Sequence, residues 1–176
     1  MKRALTLLIL LALLAGAGCA TTSGPGGGPA SDSTLPIFKA SDIDGGTFDL
    51  ADHLGKEVVL ISFWATYCEP CKAEMPVLEQ LQQQYGERGL KILSVSLDGA
   101  DSVSGVKPHI KKNGYTFAVV VDEDGTIAQA YNPAATAPFT VIIGKNGRVA
   151  KRIEGFQASE VPVIEGEIKA LLGLSE

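Results

Sequence analysis

The stretch VVLISFWATYCEPCKAEMP, residues 58–76, decides the fold of this chain. Its first part, Val58–Trp64, is an almost unbroken apolar run rich in β-branched residues, which is typical of a central strand buried on both faces. Apolar residues then recur at spacings of three and four and predict a helix over Glu69–Tyr85, which Gly86 ends. A second apolar strand, Lys91–Leu97, follows, and a strand, helix and strand in this order predict a right-handed parallel crossover.

Shorter elements are predicted on both sides of this unit. Asn146-Gly147 accepts positive φ and indicates a hairpin near the end of the chain. The remaining predicted elements are strands at Ile37–Ala40 and Thr47–Leu50, a helix at Val103–Asn113 weakened by Pro108, a strand at Thr116–Val121, a helical turn at Gly125–Tyr131, strands at Phe139–Ile143 and Arg148–Ile153, and a last helix capped by Ser159. The sequence therefore predicts an α/β domain with a β-rich start, a βαβ unit, an inserted αβα segment and a final ββα segment.

The first 18 residues have the pattern of a secretion signal. Two basic residues precede an apolar run over residues 4–14, which is too short to span a bilayer as a helix. Cys19 follows small residues and begins a polar stretch, which resembles a bacterial lipobox, although Gly16 stands where leucine is usual. We expect residues 1–18 to be a lipoprotein signal peptide and Cys19 to carry lipid. A plain cleavable signal and an uncut N-terminal anchor are the alternatives.

The composition after the signal indicates a tether followed by one domain. Residues 19–33 are rich in Gly, Pro and Ser, which is linker composition, and residues 34–176 are enough for a single core. The whole chain has 15 basic and 20 acidic side chains, and removal of Lys2 and Arg3 with the signal leaves 13 against 20, or −7. A net negative body is a poor counterion for phosphates, so nucleic acid is not an expected partner.

The pair Cys68 and Cys71 carries the candidate chemistry. Two cysteines separated by two residues at a helix start can close a small disulfide ring, and Pro70 fits the first turn of that helix. The unsatisfied N–H groups and the helix dipole stabilise a thiolate at the upstream position by up to about 2 kcal/mol. This lowers its pKa by a little over one unit, to near neutrality. Cys68 is therefore predicted to attack and Cys71 to resolve the mixed disulfide.

Four other interpretations of the cysteine pair compete. A structural disulfide is possible in an envelope protein, although such bridges rarely join two positions at a helix N-terminus. Zinc needs about four ligands, and only His53 and His109 remain as partners, both expected to be solvated. A copper-binding module would use both thiolates and His109. A peroxidase on the same fold needs an activated cysteine with a nearby threonine and arginine, and Thr66 alone does not meet this requirement.

The segment FWATYCEPCKAEMP, residues 63–76, resembles the active-site segment of the TlpA/ResA group of membrane-tethered thioredoxin-like proteins. The likeness runs from about Leu35 to Leu172. It implies a thioredoxin fold with an N-terminal β-hairpin extension and a central αβ insertion. It further implies that Pro138 is a cis-proline facing the disulfide and that Trp64 packs beside it, with Glu69 and Pro70 shaping the site.

The resemblance also implies a function. It predicts an extracytoplasmic, lipid-anchored thiol–disulfide oxidoreductase of the cell envelope, acting as a reductant of protein disulfides in the manner of cytochrome c maturation. The expected partners are protein thiols and disulfides, with apocytochrome c as a candidate substrate and a membrane thiol donor of the DsbD/CcdA kind. No metal or organic cofactor is expected.

Some positions depart from the group's pattern. Ser62 stands where thioredoxin has a buried acid, so proton transfer to Cys71 must use another group or water. Members of the group carry an acid in the insertion near the disulfide, and Asp98 and Asp101 are the candidates here. Tyr67 replaces the usual tryptophan, and Phe139 replaces a more usual threonine, which predicts an altered substrate groove.

Overall fold

The computed structural model describes residues 36–174, which form seven β-strands and five α-helices. The strands are β1 Lys39–Ser41, β2 Thr47–Asp49, β3 Val58–Trp64, β4 Leu90–Ser96, β5 Ala118–Val121, β6 Phe139–Ile143 and β7 Val149–Glu154. The helices are α1 Leu50–His53, α2 Glu69–Tyr85, α3 Val106–Asn113, α4 Thr126–Tyr131 and α5 Val161–Leu172.

Five strands form the central sheet in the order β5-β4-β3-β6-β7, and β1 and β2 form a separate antiparallel hairpin. Strands β3, β4 and β5 are mutually parallel, whereas β6 and β7 run antiparallel to their neighbours. Helix α2 makes the crossover between β3 and β4, and α3 with β5 forms the insertion. The predicted thioredoxin fold, with its N-terminal hairpin and central αβ insertion, is confirmed.

Strand β3 divides the core between the two faces of the sheet because successive side chains point to opposite sides. Val58, Leu60 and Trp64 pack in a cluster with α2, α3 and α5. Val59 and Phe63 pack in a second cluster with β2, α1 and α4. The sheet is therefore covered on both faces, as its continuous apolar central strand predicted.

Helix α2 has the bounds that its apolar spacing predicted. Cys68 is its N-cap and Pro70 lies in the first turn, where a missing N–H costs little. Pro76 lies inside the helix, which nevertheless continues to Tyr85. The helix therefore presents Cys71 and the following buried positions to the sheet.

Two details at helix starts differ from the predictions, and both involve proline. Ser159 does not cap the last helix: it lies in a 3-10 turn, Ala158–Glu160, and no side chain caps α5. Pro162 in the first turn has its φ preset for a helix, so the chain passes from the turn into α5 without a cap. Pro108 does not weaken α3 because it lies among the first N–H groups, which have no helical partner.

The predicted signal peptide, the tether over residues 19–33 and Cys19 lie outside the described residues. Within residues 36–174, no helix has both the length and the apolar character needed to cross a membrane.

Candidate active site

Cys68 and Cys71 form a disulfide at the start of α2, with their Cα atoms 5.3 Å apart. The Cys68 Sγ accepts a hydrogen bond from the Cys71 backbone N–H at 3.3 Å, so this sulfur occupies the capping position of the helix. Cys68 is half-buried, whereas Cys71 is fully buried. Only Cys68 can therefore be reached directly by the sulfur of another protein.

Asp98, which follows β4, holds the segment between β3 and the disulfide in place. The Asp98 carboxylate accepts hydrogen bonds from the Thr66 N–H at 2.9 Å, the Thr66 hydroxyl at 2.5 Å and the Ser96 hydroxyl at 2.8 Å. Burial raises the pKa of Asp98, but the hydrogen bonds from Thr66, Ser102 and Ser96 outweigh it and hold the pKa below its usual value. Asp98 is thus a buried, charged anchor beside the active-site segment, while Asp101 is exposed.

A buried acid next to Cys71 was missed in the sequence. Glu74 is 2% exposed and lies one helical turn after Cys71. Ser62 in β3 pairs with Thr140 in β6, and their hydroxyls donate to the Glu74 carboxylate at 3.2 and 2.9 Å. Burial raises the pKa of Glu74, although both hydrogen bonds act against the rise. Glu74 therefore adds a buried acid in α2 to Asp98 and Asp101, the candidates that the sequence offered for the acid of the insertion.

The signal for Glu74 was present in the spacing of α2. Cys71, Glu74, Met75 and Leu78 recur at intervals of three and four, so Glu74 lies on the apolar face that the same spacing assigns to the core. A carboxyl group at such a position needs buried hydrogen-bond donors, which the Ser62–Thr140 pair supplies.

Aromatic rings of the insertion pack against Trp64, the last residue of β3. Trp64 is 1% exposed, and its ring centroid lies 5.4 Å from that of His109 in α3. His109 also contacts Tyr115, with ring centroids 6.2 Å apart. Burial lowers the pKa of His109, and the charges of Lys72 and Lys112 lower it further. The expectation of a solvated histidine is wrong for His109, which is half-buried against the predicted active-site tryptophan.

The surface around Cys68 combines exposed and buried predicted residues. Tyr67 is 71% exposed, and Glu69, also exposed, pairs with Lys72 at 2.7 Å. The Ala137–Pro138 peptide bond is cis, and Pro138 is buried. Because Phe139 pairs with Phe63, Pro138 stands level with Trp64 at the end of β3 that leads to the disulfide.

Two alternative sites have little support from these contacts. The Thr66 hydroxyl, which a peroxidase would use beside its reactive cysteine, donates to Asp98 instead. Across residues 36–174, no three His, Cys, Asp or Glu side chains gather in an arrangement that could hold a metal ion.

A half-buried N-capping cysteine joined to a buried one, at the carboxyl end of a central strand, defines a thioredoxin-fold protein with a dithiol–disulfide centre. Residues 31–152 match the AhpC/TSA family. Thiol-disulfide oxidoreductase ResA of Geobacillus thermodenitrificans is 37% identical over 128 residues, which cover 73% of this chain and 71% of that protein.

Solved structures give the same result. A protein assigned as thiol:disulfide interchange protein DsbE of Chlorobium tepidum has a TM-score of 0.72 at 28% identity, covering 80% of this chain and 96% of that one. The exposed lipoprotein thioredoxin of Streptococcus pneumoniae has a TM-score of 0.63 at 25% identity, covering 75% and 98%. The chain belongs to the AhpC/TSA family and, within it, to the ResA-type thiol–disulfide oxidoreductases. The predicted family and enzyme class are confirmed.

Proposed function

We propose that this chain reduces protein disulfides outside the cytoplasm, with Cys68 as the attacking sulfur and Cys71 as the resolving one. The observation that carries the assignment is the unequal burial of the two sulfurs. The Cys68 thiolate attacks a substrate disulfide and forms a mixed disulfide, releasing the first substrate thiolate. Cys71 loses its proton and attacks the Cys68 sulfur, which releases the second substrate thiolate and leaves the Cys68–Cys71 disulfide. Two electrons pass to the substrate.

The N-capping position activates Cys68. In the reduced protein, the Cys71 N–H that now donates at 3.3 Å can donate to the thiolate, and the helix dipole adds up to about 2 kcal/mol. Glu69 opposes this effect, but its pairing with Lys72 reduces its net charge at the site. We therefore expect Cys68 to be a thiolate near neutral pH.

Glu74 is the proposed proton acceptor for Cys71. It lies on the same buried face of α2, one turn beyond Cys71. It would take the role of the buried acid that thioredoxin has at the position of Ser62, whose hydroxyl donates to it. Because its pKa is raised, Glu74 can be protonated and deprotonated closer to neutral pH than an exposed glutamate. The proton of Cys71 would reach it directly or through one water.

The charges at the site favour a reductant. A strong oxidant has a reduction potential of about −120 mV and a reductant one of about −270 mV, which corresponds to a difference of ~7 kcal/mol in the stabilisation of the thiolate. The helix dipole supplies only about 2 kcal/mol of this difference. No histidine lies between the cysteines, and the Lys72 cation is shared with Glu69. Equilibration with a glutathione or dithiothreitol buffer measures the potential. A midpoint above about −180 mV would rule out the reductant assignment.

The roles of the two sulfurs are tested by trapping. With oxidised substrate, Cys71→Ser should accumulate a mixed disulfide through Cys68, whereas Cys68→Ser should accumulate little. Alkylation of the reduced wild-type protein near pH 7 should modify Cys68 first. Equal trapping by both variants would contradict the assignment, and stoichiometric copper or turnover of hydrogen peroxide would favour the metal-binding or peroxidase alternatives.

We propose that Cys19 is lipidated and that the tether over residues 19–33 keeps the domain near a membrane thiol donor of the DsbD/CcdA kind. The resemblance of residues 63–76 to the ResA group supports apocytochrome c as the substrate. The similarity to a lipoprotein thioredoxin of known structure supports the anchor. The wild-type chain should partition into detergent, and Cys19→Ala should remain unprocessed or be released. A soluble, unlipidated wild-type protein would contradict the proposal.

A further inference from the structure

The packed rings of His109 and Trp64 each carry a buried nitrogen atom without a hydrogen-bond partner. Among the described residues, no group forms a hydrogen bond with the buried Trp64 Nε1 or with the buried His109 Nε2. The indole N–H is only a donor, whereas an imidazole nitrogen accepts when neutral and donates when protonated. A neutral, incompletely satisfied imidazole of this kind is able to gain a proton if a negative charge develops nearby.

Three observations place His109 near the segment that carries the two cysteines. Trp64, against which its ring packs, shares one core cluster with Cys71, and Cys68 packs against that cluster. The charges that act on the imidazole include Glu69 and Lys72, the residues directly after the two cysteines. The turn before α3 also lies next to the segment before Cys68, since a Cβ added at Gly105 would come within 3.6 Å of the Thr66 methyl group.

We propose that His109 takes up a proton when the Cys68–Cys71 disulfide is reduced, so that an imidazolium compensates the charge of the Cys68 thiolate. A donor dithiol supplies two electrons and two protons and becomes a disulfide. One proton goes to the Cys71 sulfur and the second to His109, while Cys68 remains a thiolate. Atoms and charge balance, since the new anion and the new cation cancel. The inference rests on the proposed exchange reaction and adds a charge-compensating residue to it.

The charged groups that face His109 explain why it is neutral in the oxidised protein. Lys72 on α2 and Lys112 on α3 disfavour the imidazolium, as does burial, while Asp98 and Glu69 favour it. Burial and the two lysines prevail, and reduction adds an anion that acts in the same direction as Asp98 and Glu69. Tyr115 adds no charge in this range, because burial raises the pKa of its phenol.

The chain allows a direct test because it contains only two histidines. NMR titration of the purified chain should show the His109 ring with about tenfold higher proton affinity in the reduced than in the oxidised form, a shift of about one pKa unit. His53 is the internal control: it stacks on Phe48, in the other core cluster, and pairs with Glu57. The NMR signals of its ring should be the same in the two redox states.

Linkage requires a reciprocal effect on the thiol. His109→Phe keeps a ring against Trp64 and should lower the proton-dissociation constant of Cys68 about tenfold, measured by alkylation rate against pH, whereas His53→Phe should leave it unchanged. Equal His109 titration in the two redox states would overturn the proposal, and the wild-type protein alone decides this. Because no substrate is present, the result is independent of whether the protein reduces substrate disulfides, which the trapping experiment tests separately.

Discussion

Replacing Glu74 by glutamine tests the proposed proton acceptor with almost no change in shape. The carboxylate accepts from Ser62 at 3.2 Å and from Thr140 at 2.9 Å, and the side-chain amide can still accept one of these hydrogen bonds. The second hydroxyl can rotate and accept from the amide. The variant should therefore fold, but it cannot take a proton from Cys71.

The expected loss of rate follows from the geometry. A positioned proton acceptor contributes roughly 10²–10⁴-fold to a reaction step. Glu74 is one helical turn from Cys71, so the transfer needs a water or a small side-chain movement, and we expect the lower end of this range. Glu74→Gln should slow the release of reduced substrate about 100-fold, equivalent to about 2.7 kcal/mol, and leave the first attack by Cys68 unchanged.

The stability of the same variant should depend on pH in a defined direction. The pKa of Glu74 is raised in the folded protein. Its contribution to the free energy of unfolding is therefore fully present below the unfolded-state pKa of about 4.3, and it is lost as pH rises through the folded-state pKa. Each unit of that rise costs about 1.4 kcal/mol at higher pH. Glutamine does not titrate, so Glu74→Gln should gain stability relative to wild type across this window. At low pH it should be less stable by about 1 kcal/mol, through the altered hydrogen bonds.

The chain supplies both the assay and a control. Trp64 is its only tryptophan and is buried beside the disulfide, so stopped-flow fluorescence can follow the redox state, with acid quenching to count mixed disulfides. Glu79 is also buried in α2 and accepts from Thr116, but it lies about 12 Å from Cys71 along the helix axis, whereas Glu74 is one turn away. Glu79→Gln should reduce stability without slowing the second step. A wild-type rate and pH profile in Glu74→Gln would refute the role of Glu74.

Two further substitutions test the residue that holds the active-site segment, Asp98, and an exposed residue that is expected to contact the substrate, Tyr67. Asp98→Asn should destabilise the domain by roughly 1–3 kcal/mol, because the Thr66 N–H loses its charged acceptor. The lowered pKa of Asp98 contributes stability that is lost as pH falls through it, so the variant should also lose less stability in acid. Urea titrations at pH 3 to 7 measure both effects, and Asp101→Asn should show neither. Tyr67→Ala should raise the KM for a protein disulfide severalfold while leaving reduction by dithiothreitol unchanged, and Val163→Ala, also exposed, is its control. An unchanged KM would show that Tyr67 does not contact substrate.

The β3–α2–β4 unit could be predicted because its signals are local. A buried strand, a helix with regular apolar spacing and two cysteines at the helix start all lie within residues 58–97. Glu74 was missed because its partners come from elsewhere: Thr140 follows it by 66 residues, and only the register of β3 with β6 brings the two hydroxyls together. The burial of His109 was missed for a related reason. Its neighbours in sequence are largely lysines, and its burial comes from the packing of α3 on Trp64.

The two faces of the central sheet differ in the polarity of their buried side chains, and this difference indicates the position of the site independently of the cysteine motif. On the face covered by β2, α1 and α4, the buried positions of β3, β4 and β6 are all apolar: Val59, Ile61, Phe63, Leu93, Val95, Val141 and Ile143. On the α2 face, the same three strands become polar towards the disulfide, with buried Ser62, Ser94, Ser96 and Thr140.

Burying polar groups lowers stability unless each finds a partner, and on the α2 face the pairing is incomplete. The hydroxyl of Ser94, which pairs with Ser62 across β3 and β4, forms no hydrogen bond with any described residue, as is true of the indole nitrogen of Trp64. An apolar row would pack as well there as it does on the opposite face. Local departures from the rules of core packing are expected where function requires them. The polar row therefore fits a site that must accept and release protons beside Cys71.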